Sequence, residues 1–162
     1  MAVTEEGPTI NALNEKELQE RVSILKQLKE KLIIQRQKFH AYLKVLEEEE
    51  KDILNNEAEK LKLHAEMEKG IVQEIYVFQK VIDPLAELYG LAYPHKEREI
   101  PRIQLSLEKV RQLVIERSER NQALLKMRMK QLRQEIVSIK RPFSLKSSYA
   151  STTIPVLIDI TT

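Results

Sequence analysis

Residues 15 to 52 read EKELQERVSILKQLKEKLIIQRQKFHAYLKVLEEEEKD. Leu18, Val22, Leu25, Leu32, Phe39, Leu43, Leu46 and Ile53 fall on a row built from steps of three and four. Such steps keep side chains on one face of a helix, and a period near 3.5 is that of a coiled-coil seam. Lys29, Arg36 and Glu50 occupy three positions of the same row. Charges there suit a seam packed on unlike helices, where long stems lie along the surface and their heads stay wet. They disfavour a uniform two-stranded zipper, so a monomer is favoured. At 1.5 Å per residue this helix is roughly 57 Å long.

Proline sets the limits of the remaining elements. None of the six prolines lies between residues 9 and 83 or between 102 and 141. Both windows are therefore open to helix, which an internal proline would interrupt. Asn14, with Glu17 three residues on, offers a capping box for a first helix over about 15–52, after a flexible leader at 1–13. Asn55 and Asn56 mark a turn, and Asn56 with Glu59 repeats the capping spacing. A second helix over 57–89 carries Leu61, Ala65, Glu68, Val72, Ile75, Gln79 and Ile82, widened by Leu63, Met67, Ile71 and Phe78. A stripe that wide faces more than one neighbour. Gly70 implies close packing or a soft point. Asp83-Pro84 implies a kink or a short extra helix, with Asp83 as cap and Gly90 as its end.

Pro101 can open a third helix over about 102–140, which Pro142 ends. Its stripe is Ile103, Leu107, Val110, Val114, Arg117, Asn121, Leu124, Leu125, Leu132, Ile136 and Ile139. Arg117 and Asn121 put polar groups in mid-seam, where they can set register. The expected fold is all-α: an elongated antiparallel bundle of three long helices at 14–140, followed by a flexible tail at 141–162.

Composition excludes several kinds of chemistry. There is no Cys, which removes disulfides, thiolate metal sites and thiol nucleophiles. Three scattered glycines cannot build a phosphate or dinucleotide loop. Residues three before His40, His64 and His95 are Gln37, Leu61 and Ala92, so the Glu-x-x-His pairs of carboxylate-bridged bundles are missing. His64 and Glu68 can share a face as a hydrogen-bonded pair. The Glu47–Glu50 run wraps a helix rather than converging. The chain is expected to be a cytoplasmic binding protein and not an enzyme, with no cofactor, no metal and no membrane span.

Charge is uneven along it. Between Arg111 and Lys146 there are ten Lys and Arg against three Glu. This basic end suits an acidic surface. Nucleic acid is disfavoured, because no aromatic residues interleave with the basic ones to stack on bases. In the tail, Ile154, Val156, Ile158 and Ile160 alternate, as in a short extended docking peptide.

One family shares this layout. The long charged helix is followed by the segment Lys51-Asp52-Ile53-Leu54-Asn55-Asn56-Glu57-Ala58-Glu59-Lys60-Leu61. A Glu-rich stretch ends at Gln79-Lys80-Val81-Ile82-Asp83-Pro84-Leu85. The third helix holds Glu116-Arg117-Ser118-Glu119-Arg120-Asn121-Gln122-Ala123-Leu124-Leu125. Over about 15–145 the chain resembles the FlgN family of flagellar export chaperones. The resemblance implies a cytoplasmic chaperone of the type III export system. Such proteins bind the C-terminal helical segments of hook–filament junction proteins (FlgK and FlgL), prevent their premature assembly and deliver them to the export gate. It also implies a C-terminal tyrosine that docks on the gate protein FlhA. Tyr149 is the only tyrosine after the third helix, although no glycine follows it as in the usual pattern. For a helix-in-groove cargo site, the third helix offers Leu124, Leu125, Met127, Met129, Leu132 and Ile136. Met127 and Met129, adaptable and set off from the main stripe, are the sharper candidates. The alternatives are a coiled-coil adaptor or tether and a basic-helix nucleic-acid binder.

Overall fold

The computed structural model describes the backbone of residues 9–93 and 97–146 and the side chains of 14–93 and 97–140. The described residues form three helices: α1 (Thr9–Leu54), α2 (Ala58–Ala92) and α3 (Glu99–Lys146). The protein is all-α and bundle-like, as expected. None of these helices is long and apolar enough to cross a membrane. The chain forms two compact units, Met1–Gln122 and Ala123–Thr162.

In the first unit α1 is the central element. Gln35 donates to Gln79, Tyr42 to Glu68, and His64 meets Asp52. Numbers rise on α1 as they fall on α2, so these two helices are antiparallel. Lys29 pairs with Glu99, Arg36 donates to Ser106, and Arg120 pairs with Glu50. Numbers rise together there, so α1 and α3 are parallel. Each of these interhelical links has one end on α1.

The core follows from that arrangement. Leu28 and Leu32 of α1, Ile82 of α2, and Ile100 and Ile103 of α3 form one buried cluster, flanked by Leu25, Phe78, Leu85, Tyr89 and Leu107. Further along, Val45, Leu46 and Ile53 of α1 and Val110 and Val114 of α3 are buried. Leu18 and Val22, expected in the seam, are 62% and 53% exposed. Register explains this. Lys29 already meets Glu99, the first residue of α3, so α3 offers nothing opposite earlier parts of α1. Conversely, Leu28, Gln35 and Val45 lie off the expected row yet are buried, because α1 carries a neighbour on each of two sides.

Several boundaries differ from the sequence expectation. α1 begins at Thr9, so Asn14 lies inside it and is not its cap. At its other end Asn56 adopts φ 59°. Asn56 N–H donates to Ile53 O and Glu57 N–H to Asp52 O, which closes α1 in the double hydrogen bond of a Schellman turn. Asn56 therefore ends α1 instead of capping α2, whose N-cap is Glu57 without a side-chain cap. α2 continues through Pro84 and Gly90 to Ala92. Asp83 does not cap a restarted helix; its carboxylate accepts from Gln79, one turn earlier. A Cβ on Gly70 would meet nothing within 4 Å, so close packing does not explain that glycine.

α3 begins three residues before Arg102, because Glu97 caps it. Its carboxylate accepts from the Glu99 and Ile100 amides at 2.5 and 2.8 Å, and from the Tyr89 hydroxyl at 2.7 Å. Pro101 is tolerated in the first turn, where amides have no helical partner. The backbone stays helical past Pro142 to Lys146, so that proline does not end the helix. The loss of one donor near a helix end removes a single bond, and it falls short of breaking the last turn.

Candidate functional site on the third helix

The seam of α3 is buried at Ile100, Ile103, Val110, Val114 and Asn121. In the second unit the same 3–4 spacing continues through Leu125, Met129, Leu132, Ile136 and Ile139, in steps of four, three, four and three. These five side chains are 36% to 66% exposed. The helix is the only described element of that unit, so none of its described residues covers the stripe. Five apolar side chains on one helical face, in contact with water, form a surface that gains free energy when another apolar face covers it.

The six candidate cargo residues divide on this geometry. Leu125, Met129, Leu132 and Ile136 share the stripe. Met129 is part of it and not set off from it, lying four residues after Leu125 and three before Leu132. Met127 is exposed but sits about 200° around the helix from Leu125. Leu124 is half-buried, one position to the side. Ile139 completes the face and was absent from the candidate set, although its spacing was visible. Tyr149, Ile154, Val156, Ile158 and Ile160 lie outside the described residues.

Lys126, Lys130, Arg133 and Lys140 follow the stripe one position on, so they form a basic row along one flank. Two shallow hollows of about 350 and 380 Å³ lie on that flank. Lys126, Met129, Lys130 and Arg133 line the first; Lys130, Arg133, Gln134, Val137 and Ser138 line the second. An apolar band edged by cations accepts an amphipathic helix with acidic residues beside its apolar face.

The first unit holds a layer of polar side chains between its helices. Asn121, 2% exposed, donates to Leu46 O at 2.8 Å and to Glu49 at 2.7 Å. Arg117 meets Glu50, which Arg120 also contacts at 3.0 Å. Both polar seam residues read from the sequence thus tie α3 to α1. Burial and the neighbouring Glu68 push the Tyr42 phenol up to about 12. Burial, then Glu49, raises Glu68 as well. His64 faces Asp52 at 2.6 Å instead of pairing with Glu68. Among the described residues no group of three His, Asp or Glu is placed to hold a metal ion. Asn121, Arg117 and Arg120 join α3 to α1, while His64 Nδ1, Glu68 Oε1 and Asn121 Oδ1 are buried with no hydrogen-bond partner among the described residues.

No family model matches the chain, and no solved structure matches it. An uncharacterized protein of Treponema pallidum (strain Nichols) is 32% identical over 124 residues, which cover 76% of this chain and 80% of that protein.

Proposed function

The chain belongs to the family of that uncharacterized Treponema pallidum protein, and we propose, from its helical layout and the stripe on α3, that it is a flagellar export chaperone of the FlgN type. In this reading it works in the cytoplasm and binds the C-terminal helical segment of a hook–filament junction protein. It keeps that segment from assembling early and carries it to the export gate, where Tyr149 docks on FlhA. The observation that carries the reading is the uncovered stripe Leu125, Met129, Leu132, Ile136 and Ile139 with its basic flank. A cargo helix lays its own apolar face on this stripe and its acidic residues beside Lys126, Lys130 and Arg133.

The test is a titration of the full chain with the C-terminal helical segment of the junction protein from the same organism. Burial of one large apolar side chain is worth about 1.5–3 kcal/mol. Met129→Glu should therefore weaken binding by about tenfold or more, with an unchanged helical circular dichroism spectrum. A wild-type chain that does not bind the segment, or a folded Met129→Glu variant that binds it as tightly, overturns the proposal. The spacing of the stripe also suits a coiled-coil tether. That alternative requires a permanent parallel oligomer joined stripe to stripe, which light scattering detects.

A further inference from the structure

The first unit carries a groove of about 690 Å³ with Leu32 and Phe39 of α1 as its floor. One wall is α2 from Val72 to Ala86, and the other is α3 from Gln104 to Arg111. Val72 and Tyr76 on the α2 wall are 48% and 59% exposed. The groove exists because α2 and α3 are each tied to α1. A fourth helix laid there would complete a four-helix arrangement around a shared apolar interior.

We propose that the occupant is segment 123–140 of a second copy of this chain, so that two copies exchange segments reciprocally. Length supports this. Leu125 to Ile139 and Val72 to Ala86 each span fifteen residues, or about 21 Å of helix from end to end. Charge supports it too. Segment 123–140 carries five basic residues and one acidic residue, Glu135. The groove presents Asp83 on its α2 wall and, on its α3 wall, Glu108 paired with Arg111, two carboxylates against one guanidinium. A basic row beside the stripe opposes its pairing with an identical basic stripe, and a groove whose unpaired charge is the Asp83 carboxylate accepts it better. The association goes beyond the cargo reading and does not need it. Where both hold, cargo and second copy compete for one stripe, and cargo binding releases the dimer.

The experiment is sedimentation equilibrium of the full chain from about 1 to 500 µM, with circular dichroism to verify folding. Wild type should shift reversibly from monomer to dimer. Tyr76→Glu, which damages only the groove, and Met129→Glu, which damages only the segment, should each weaken dimerisation by about tenfold or more. An equimolar mixture of the two variants should recover association, because one intact groove then meets one intact segment. Val72→Glu and Ile136→Glu replace either variant if it fails to fold. A wild type that stays monomeric overturns the proposal. So does a dimer that Tyr76→Glu and Val72→Glu leave unchanged, or a mixture that fails to associate. Tyr76→Glu should still bind the junction segment, so loss of dimer and loss of cargo are separate results.

Discussion

At the residue scale, two side chains carry more than their size suggests. Glu97 joins the end of α2 to the start of α3 through the Tyr89 hydroxyl and the α3 amides. Burial works to raise its carboxyl. The hydrogen bonds from Tyr89 and from the Ile100, Glu99 and Arg98 amides outweigh that and hold it below the usual carboxylate range. An acid lowered on folding stabilises the native state above its unfolded value and loses that contribution as pH falls through its folded value. Glu97→Ala should therefore cost about 1 kcal/mol at pH 7, the worth of a helix cap. Its difference from wild type should shrink as pH falls below 4.5, the ordinary glutamate value. Urea denaturation at pH 7 and pH 3.5 checks this. Asn121 is the second case. Its amide group reaches both Leu46 O and Glu49. Asn121→Ala removes both bonds and leaves a void, at a cost of about 2 kcal/mol. An unchanged urea midpoint would contradict the register role given to this residue.

At the element scale, helix ends are set by which group reaches an orphan amide or carbonyl first. Asn56 could have capped α2, but its left-handed conformation is used to close α1. Both ends compete for the same two asparagines, and a spacing rule sees only one of them. α2 also passes through three helix-weakening residues, Gly70, Pro84 and Gly90. Tertiary packing holds it together around Pro84 and Gly90, since Phe78, Ile82, Leu85 and Tyr89 on its inner face lie in or against the core. Open space around Gly70 makes it a clean probe. Gly70→Ala should raise stability by about 1 kcal/mol, because a helix-interior glycine gives up the most chain entropy on folding. Thermal denaturation should show a higher midpoint, and a lower one would mean that a backbone soft point at this position supports the fold.

For the whole molecule, the two units divide the labour. The first buries its seam and joins its helices through polar side chains. The second offers a helix whose apolar face is exposed. If the stripe serves both cargo and a second copy, adding the junction segment to a concentrated sample should convert dimer to a one-to-one complex. Sedimentation should then show the dimer fraction falling as cargo is added. A dimer that persists with cargo bound would place cargo elsewhere, and the exposed apolar residues of α2 would become the next candidates. Electrostatic steering by the basic row should also make cargo association slower at high salt.

Proline-free windows, the Asn55-Asn56 turn and steps of three and four determined, by themselves, the three long helices of the described residues, and they placed Arg117 and Asn121 in a seam. Local rules suffice there, because periodicity and the missing ring constraint act within a single helix. Which residues are buried was decided only in the tertiary structure. Lys29 and Arg36 each follow a buried residue, Leu28 and Gln35, and Leu18 and Val22 stay in water, because burial depends on what stands opposite. The stripe on α3 shows the same division. Its apolar spacing was legible from Leu125 to Ile139, and Met129 belonged to it by simple counting. Its exposure was not legible, because the same pattern serves as core where a neighbour covers it and as a docking face where none does.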